Sequence, residues 1–501
     1  MTIKEKIDKF ANSSYFITIT TIVMIFGYEF NLPELSIAYL AVMAMLVLLY
    51  TDDVTPTFII PLYSPLLMSR QFEIGVFQYI FYGAIAAMLV VSIVIFIYRQ
   101  VRINKRKFIK GEMFWAGFGI CIVGVIAGLG YMDFAYQWWW RQILYPVVLF
   151  SYYLFFINFT RGDNRRYIAK LFLGLSCFIM VQMLWCILAS PNPIATIQNK
   201  MILVGPSNMI NMAGTMLSMT IPFCFYLAID SKRDWLYCIL GLLIYLFLIL
   251  SNSRGNILIA TLLTPIGFLI SMVKSKSKKR YFIILICACV CLVGLIVMMI
   301  IYRSVVFGML ARLGLSSNGR FEIWKAALKL FTKTPIFGTG FYVKTSFMNF
   351  DSAVYQYHST IIQIITCTGI VGSIFFGYYY YKKFKVFFTN KSLYKIFAFL
   401  SMISLEIYGL IDMVGIYPST ILLTLVLLIS AEKEEKVEEI KTVKEELESF
   451  KSDMQSLNDE LKASVQARKE KIDNAKEEKI RLENAKEKPA NKQEKIKNKK
   501  Q

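Results

Sequence analysis

The sequence predicts an all-α fold: a polytopic transmembrane helical bundle of about 12–14 spans, one large outer-face loop and a C-terminal cytoplasmic coiled-coil helix. Three observations carry that expectation. Hydrophobic residues make up 56% of the 501-residue chain and charged residues only 18%, too few polar side chains to cover several water-soluble cores. The apolar residues gather into runs long enough to cross a bilayer. The basic residues gather in every second connector between those runs.

From the N-terminus, Lys4, Lys6 and Lys9 precede an apolar run at 13–30 that no small-residue cleavage site follows, so this run stays as a span. Further runs lie at 35–50, 76–98, 113–131, 138–160, 168–189, 208–229, 235–251, 255–273, 281–302, 359–381, 395–411 and 416–430. Connectors 99–110, 161–170, 231–234, 274–280 and 382–395 carry 6, 4, 2, 5 and 5 basic residues, whereas 70–75, 131–141, 190–207 and 251–255 carry one each. The first set is therefore cytoplasmic. Thirteen spans would leave the Lys-rich N-terminus outside; reading the proline-rich stretch 54–69 as a broken or tilted fourteenth span puts both ends inside. The formal charge of +21 comes almost wholly from residues 1–430, where the basic residues sit in short connectors, so it encodes topology and not nucleic-acid binding.

This orientation leaves residues 303–358 as the one outer loop large enough to build a site. Within it Phe321, Trp324, Leu328 and Phe331 recur at helical spacing while Lys325 and Lys329 lie opposite, which predicts an amphipathic helix over 320–333 roofing the bundle along the membrane surface. Ser317 or Asn318 would cap its start, and Pro335 follows its end. The chain thus divides into a transmembrane domain, 1–430, and a cytoplasmic tail, 431–501. In the tail Ile440, Val443, Leu447, Phe450, Met454, Leu457 and Leu461 step by heptad intervals, a pattern for self-association or a cytoplasmic partner through 440–461, or else for a solvated single helix.

Few residues are equipped for chemistry. His358 is the only histidine, which rules out a multi-histidine metal centre; it stands where the next span begins, as an interfacial anchor or as a base. Arg254, in the outer turn SNSRG (251–255), either snorkels to lipid phosphate or faces a polar cavity. Arg320 opens the amphipathic helix, where unpaired N–H groups and the helix dipole already favour an anion. Arg303 and Arg312 share the loop as supporting cations or plain surface charge, and Glu406 and Asp412, in or beside the last spans, are intramembrane acids that pair with an arginine or act directly. The nine cysteines lie inside apolar runs and read as small core residues, and the glycines of PIFGTGF (335–341) are too incomplete a pattern for a nucleotide loop. Gly369 and Gly372 suit close helix packing.

Taken in order, SNSRG, the R-x-x-x-W of Arg320 to Trp324, the PIFGTG turn and His358 in HSTIIQIITCTGIVG resemble the polytopic O-antigen ligase and polymerase superfamily, and GPSNMINMAG (205–214) resembles its Asn-containing segment. The resemblance covers about residues 205–380. Ser359 and Ile362 depart from the Asn and Leu usual in the family at the start of that helix, and the heptad tail is not a family feature. The resemblance implies a metal-independent, cofactor-free, inverting glycosyltransferase acting at the outer face of the cell membrane on polyprenyl-diphosphate-linked oligosaccharide. In that chemistry His358 would be the base and Arg254 and Arg320 would bind the diphosphate.

A polymerase, which extends one lipid-linked repeat with another for a capsule or exopolysaccharide, is the first expectation. A ligase that moves the glycan to a different acceptor shares the same motifs. A transporter or flippase for the same lipid would instead show two similar halves with paired broken helices, and a scaffold organised by the coiled coil would leave His358 dispensable.

Overall fold

The computed structural model describes residues 2–67, 76–130, 139–160, 164–204, 210–287, 320–340, 357–389, 392–412 and 414–433, together with 297 and scattered positions between 466 and 481. The chain forms two units, Met1–Glu435 and Lys436–Gln501. The heptad positions 440–461 lie outside the described residues.

The first unit is helical throughout, with no strand among the described residues. Its first half comprises α1 (Ile3–Ala11), α2 (Ser14–Glu29), α3 (Pro33–Tyr50), α4 (Ile59–Leu67), α5 (Val76–Tyr98), α6 (Phe114–Gly130), α7 (Trp139–Phe159) and α8 (Arg165–Leu188). Its second half comprises α9 (Pro193–Gln198), α10 (Ile210–Ile229), α11 (Asp234–Leu250), α12 (Arg254–Lys274), α13 (Arg320–Phe331), α14 (Thr360–Phe388), α15 (Leu393–Gly409) and α16 (Pro418–Glu432). Six helices (α3, α5, α8, α10, α12 and α14) are long and apolar enough to cross a membrane, and α1 with α2 makes a seventh if that bent pair is one span. Segments of α6, α7, α11 and α16 are shorter apolar helices. The multi-pass bundle expected from composition is thus present. Most of the apolar run 281–302 lies outside the described residues.

Two expected spans take a different local form. The first apolar run is preceded by a separate helix, α1, closed by a Thr2–Glu5 capping box and set at 67° to α2, whose own start is capped by Ser13. The proline-rich stretch folds as a 3-10 turn, Thr55–Phe58, that passes into α4, described over nine residues, so it is broken and not one continuous helix. Phe58, Leu62, Tyr63 and Leu66 are buried, so this segment fills the bundle interior.

At the centre stands α10, 94% buried and packed against α8, α11, α12 and α15. Small and hydroxylated residues let its neighbours approach: Gly214 faces Asn256 and Ser253, and the Thr220 hydroxyl donates to the Phe172 carbonyl at 3.2 Å. In lipid such internal bonds replace the water that would otherwise satisfy polar groups.

The helix α14 is broken at Gly369, whose φ of 63° and ψ of −163° lie outside helical space. The PIFGTG turn fills that break. Thr339 and Gly340 donate their N–H groups to the carbonyls of Thr366 and Cys367 at 3.1 and 2.8 Å, and Ile370 and Val371 donate back to Pro335 and Ile336 at 2.8 and 3.1 Å. A Cβ on Gly338 would lie 2.4 Å from the Cys367 carbonyl carbon, so only glycine permits the approach. The two glycine patterns are therefore one structural device: the turn satisfies the backbone groups that the break sets free.

The amphipathic helix predicted over 320–333 forms as α13 but turns a different face to the bundle. Ala327 and Leu330 are buried, whereas Phe321 and Leu328 are exposed. The small Ala327 is what allows contact, since its carbonyl accepts from the Thr366 hydroxyl at 3.4 Å. The capping positions Ser317 and Asn318 lie outside the described residues.

Candidate active site

The helix ends that carry the site meet at one end of the bundle. By chain order the basic connectors at 231–234, 274–280 and 382–395 close the opposite ends of α10, α11, α12, α14 and α15.

The SNSRG turn is a helix stop followed at once by a helix start. Ser251 ends α11 with its N–H on the Phe247 carbonyl at 2.9 Å, Asn252 adopts a left-handed φ of 51°, and the Ser253 carbonyl accepts the first N–H bond of α12 from Ile257 at 2.9 Å. Asn tolerates this backbone region better than most side chains. Arg254 is thereby placed as the first residue of α12. The Asn252 carboxamide donates to the Gln198 carbonyl at 3.3 Å and stitches the loop after α9 to the same turn. Gly255 makes room for its neighbours, because a Cβ there would lie 2.7 Å from the Tyr408 ring and from Ile411.

Arg320 begins α13, and Trp324 follows one turn later on the same side. The Trp324 indole N–H donates to the Tyr357 carbonyl at 2.8 Å, and the Tyr357 N–H donates to the Gln363 side chain at 3.0 Å. The helix bearing Arg320 is thus fastened to the peptide just before His358.

Arg254 and Arg320 line one cavity of about 560 Å³, together with Lys200, Asn211, Asn252, Trp324 and Tyr408. Burial, then the Arg254 and Arg320 guanidiniums, push the Lys200 ammonium below its usual pKa of 10.5, with Asp412 partly offsetting them. Like charges gathered on a partly desolvated wall are unfavourable until an anion enters.

His358 reaches this cavity's wall through Asp412. Its Nδ1 lies 3.4 Å from Asp412 Oδ1, and the hydroxyl of Tyr408 donates to Asp412 Oδ2 at 3.2 Å. Thr360 donates to the Asp412 backbone carbonyl at 3.2 Å and accepts from the Gly415 N–H at 3.2 Å, which fixes the carboxylate's backbone. His358 has φ 49° and a side chain 37% exposed. Of the five non-glycine residues with positive φ among the described residues, three (Lys200, Asn252 and His358) belong to this constellation. Such strained positions concentrate where a site over-determines its backbone.

Of the residues singled out in the sequence, Arg254 and Arg320 are brought to one cavity, and Asp412 is brought to His358. Glu406 is elsewhere: it forms an ion pair with the buried Lys383 between α14 and α15, beside the rings of Tyr379 and Tyr380. Arg303 and Arg312 lie outside the described residues. In the PIFGTG turn the Thr339 and Gly340 amides are taken up by α14 and the Gly338 amide by the Thr334 carbonyl at 3.0 Å, so the Gly-x-Gly amides are already engaged within the protein. Sequence reasoning passed over Lys200 and Tyr408, and reached Asn211 only as part of the segment GPSNMINMAG. Lys200 had a faint signal, as the single basic residue of connector 190–207, and Tyr408 stands one helical turn before Asp412.

Residues 238–377 match the family described as O-antigen ligase. The chain carries an O-antigen ligase domain. That domain runs from α11 into α14 and contains Arg254, Arg320 and His358, while Lys200, Tyr408 and Asp412 lie outside it. With its apolar helices, the chain is a multi-pass membrane protein, and the matched domain supports a membrane enzyme of the O-antigen ligase or polymerase type. No curated protein matches the chain.

Proposed function

We propose that this protein is a polysaccharide polymerase that joins polyprenyl-diphosphate-linked oligosaccharide units at the outer face of the cytoplasmic membrane by inverting glycosyl transfer. The observation that supports this most is the gathering of Arg254 and Arg320 on one cavity whose wall is shared, through Tyr408 and Asp412, with His358. A diphosphate is the anion such a site suits: planar guanidiniums bind phosphate oxygens in pairs, and a half-enclosed cavity strengthens each contact. Asn211 and Asn252 supply neutral donors and acceptors of the kind a sugar requires, and Trp324 supplies an apolar face.

In the proposed reaction Asp412 orients the imidazole through Nδ1, which turns Nε2 toward the acceptor hydroxyl. As the hydroxyl oxygen attacks the anomeric carbon, its proton passes to His358. The bond from that carbon to the diphosphate oxygen breaks on the opposite face, and its electron pair stays with the diphosphate held by the arginines. The anomeric configuration inverts because attack and departure are on opposite faces.

The basic connectors at the other helix ends support the outer-face location, by the positive-inside rule. A flippase is less well supported, because the break in α14 is filled by the PIFGTG backbone and exposes no helix ends to a substrate.

The test is reconstitution in proteoliposomes with one defined lipid-linked oligosaccharide and no other acceptor. Longer lipid-bound products support the polymerase. Reaction only after a second acceptor is added assigns a ligase, and extension by the His358→Ala protein at the wild-type rate removes the catalytic assignment altogether.

A further inference from the structure

Lys200 is the cation at the cavity that neither the motifs nor the O-antigen ligase domain accounts for. It is not a loosely tethered surface lysine. Its backbone takes φ 56°, its N–H donates to the Ile197 carbonyl at 3.3 Å, and the next N–H, of Met201, donates to Thr196 at 2.9 Å. The Asn252 bond to Gln198 ties the same loop to the turn that presents Arg254. Its ammonium interacts electrostatically with both arginines and with Asp412. The carboxylate of Asp412 is already engaged by His358 and Tyr408. A third positive charge has therefore been placed where two already stand, by a loop from a different part of the chain.

We propose that Lys200 stabilises the negative charge that develops on the departing diphosphate, completing a site in which Arg254 and Arg320 hold the intact donor. This assignment rests on the glycosyl-transfer reading above. The intact donor is a diphosphate diester, with one formal charge on each phosphate. When the bond to the anomeric carbon breaks, the electron pair remains on the terminal phosphate oxygen and that phosphate becomes a monoester. Its second ionisation, with a pKa of about 6, adds negative charge that the donor did not have. A cation matched to that extra charge is worth more in the transition state and product than in the ground state, so it raises turnover and not merely donor affinity.

The test compares two probes on the purified full-length protein: farnesyl diphosphate, a monoester like the leaving group, and farnesyl-diphospho-N-acetylglucosamine, a diester like the donor. Lys200→Gln is expected to weaken the monoester roughly tenfold and the diester roughly twofold or less, and Lys200→Arg to restore most of the loss. In the transfer assay the same Gln variant lowers kcat with little change in KM. Unchanged thermal unfolding of Lys200→Arg with selective loss in Lys200→Gln separates charge from folding. Wild-type protein that binds both probes, with Arg320→Ala losing both and Lys200→Gln losing neither or both alike, overturns the role of Lys200 alone. Wild-type protein that binds neither probe overturns the glycosyl-transfer reading and this role with it.

Discussion

Asp412 Oδ1 stands 3.4 Å from His358 Nδ1, although 54 positions separate them in the chain. The carboxylate reaches the imidazole from the turn after α15, held there by Tyr408 and Thr360. A carboxylate so placed fixes the ring's tautomer and stabilises the imidazolium that forms. Asp412→Asn is therefore expected to lower kcat by about 10²–10⁴ with little change in donor KM. Adding His358→Ala should lower it little further, because the two act as one unit. Single-turnover transfer in proteoliposomes measures both, and wild-type turnover in Asp412→Asn would show that the pairing plays no part.

Arg254→Lys keeps the charge but not the planar fork. Loss of a charge-assisted contact of ~1.5–3 kcal/mol predicts binding of farnesyl diphosphate roughly 10–100-fold weaker. Titration of the purified variant reads this directly, and affinity equal to wild type would return Arg254 to the role of a lipid-facing anchor.

Trp324→Phe removes the indole N–H together with its five-membered ring while keeping an aromatic side chain. The Tyr357 carbonyl then loses its partner, at about 1–3 kcal/mol, and the peptide preceding His358 is freed. Turnover should fall while insertion and probe binding by Arg320 persist. Equal loss of binding and turnover would instead mean that the tryptophan only supports the fold.

Gly338→Ala introduces a Cβ at φ 72° and 2.4 Å from the Cys367 carbonyl carbon. Backbone strain alone should destabilise by ~1–3 kcal/mol, before the clash is counted. Thermal unfolding in detergent should drop, with diphosphate affinity of the folded fraction retained. Normal stability with selective loss of affinity would restore the turn as a phosphate cradle.

The role proposed for Lys200 predicts that ligand binding depends on pH. Burial, Arg254 and Arg320 hold its pKa below 10.5, so in the empty protein the ammonium is disfavoured, and this penalty is relieved as pH rises from the depressed pKa toward 10.5. A bound diphosphate favours the charged form and draws a proton to Lys200 in that window. Farnesyl diphosphate affinity should fall as pH rises through that window, from the depressed pKa toward 10.5, and Lys200→Arg should flatten the profile there, since a guanidinium does not titrate in it. An identical slope in the two proteins would assign the pH dependence to another group.

The chain's own order of residues determined the class of the molecule: apolar runs with basic alternate connectors admit little besides a helical membrane bundle. It also singled out Arg254, Arg320 and His358 as site candidates, with Arg303, Arg312, Glu406 and Asp412 as supporting ones, because charged or titratable groups are conspicuous against an apolar background. Periodicity located α13 but not the face it buries, since Phe321 and Leu328 face outward while Ala327 and Leu330 pack inward. It left Glu406 and Asp412 equivalent; tertiary packing gave one to Lys383 and the other to His358. Only the folded chain shows that Lys200 joins the arginines, or that a glycine turn plugs a broken helix. The physical reason is that hydrophobic patterning acts locally along the chain, whereas convergence of charges depends on which helix ends meet once the bundle is packed.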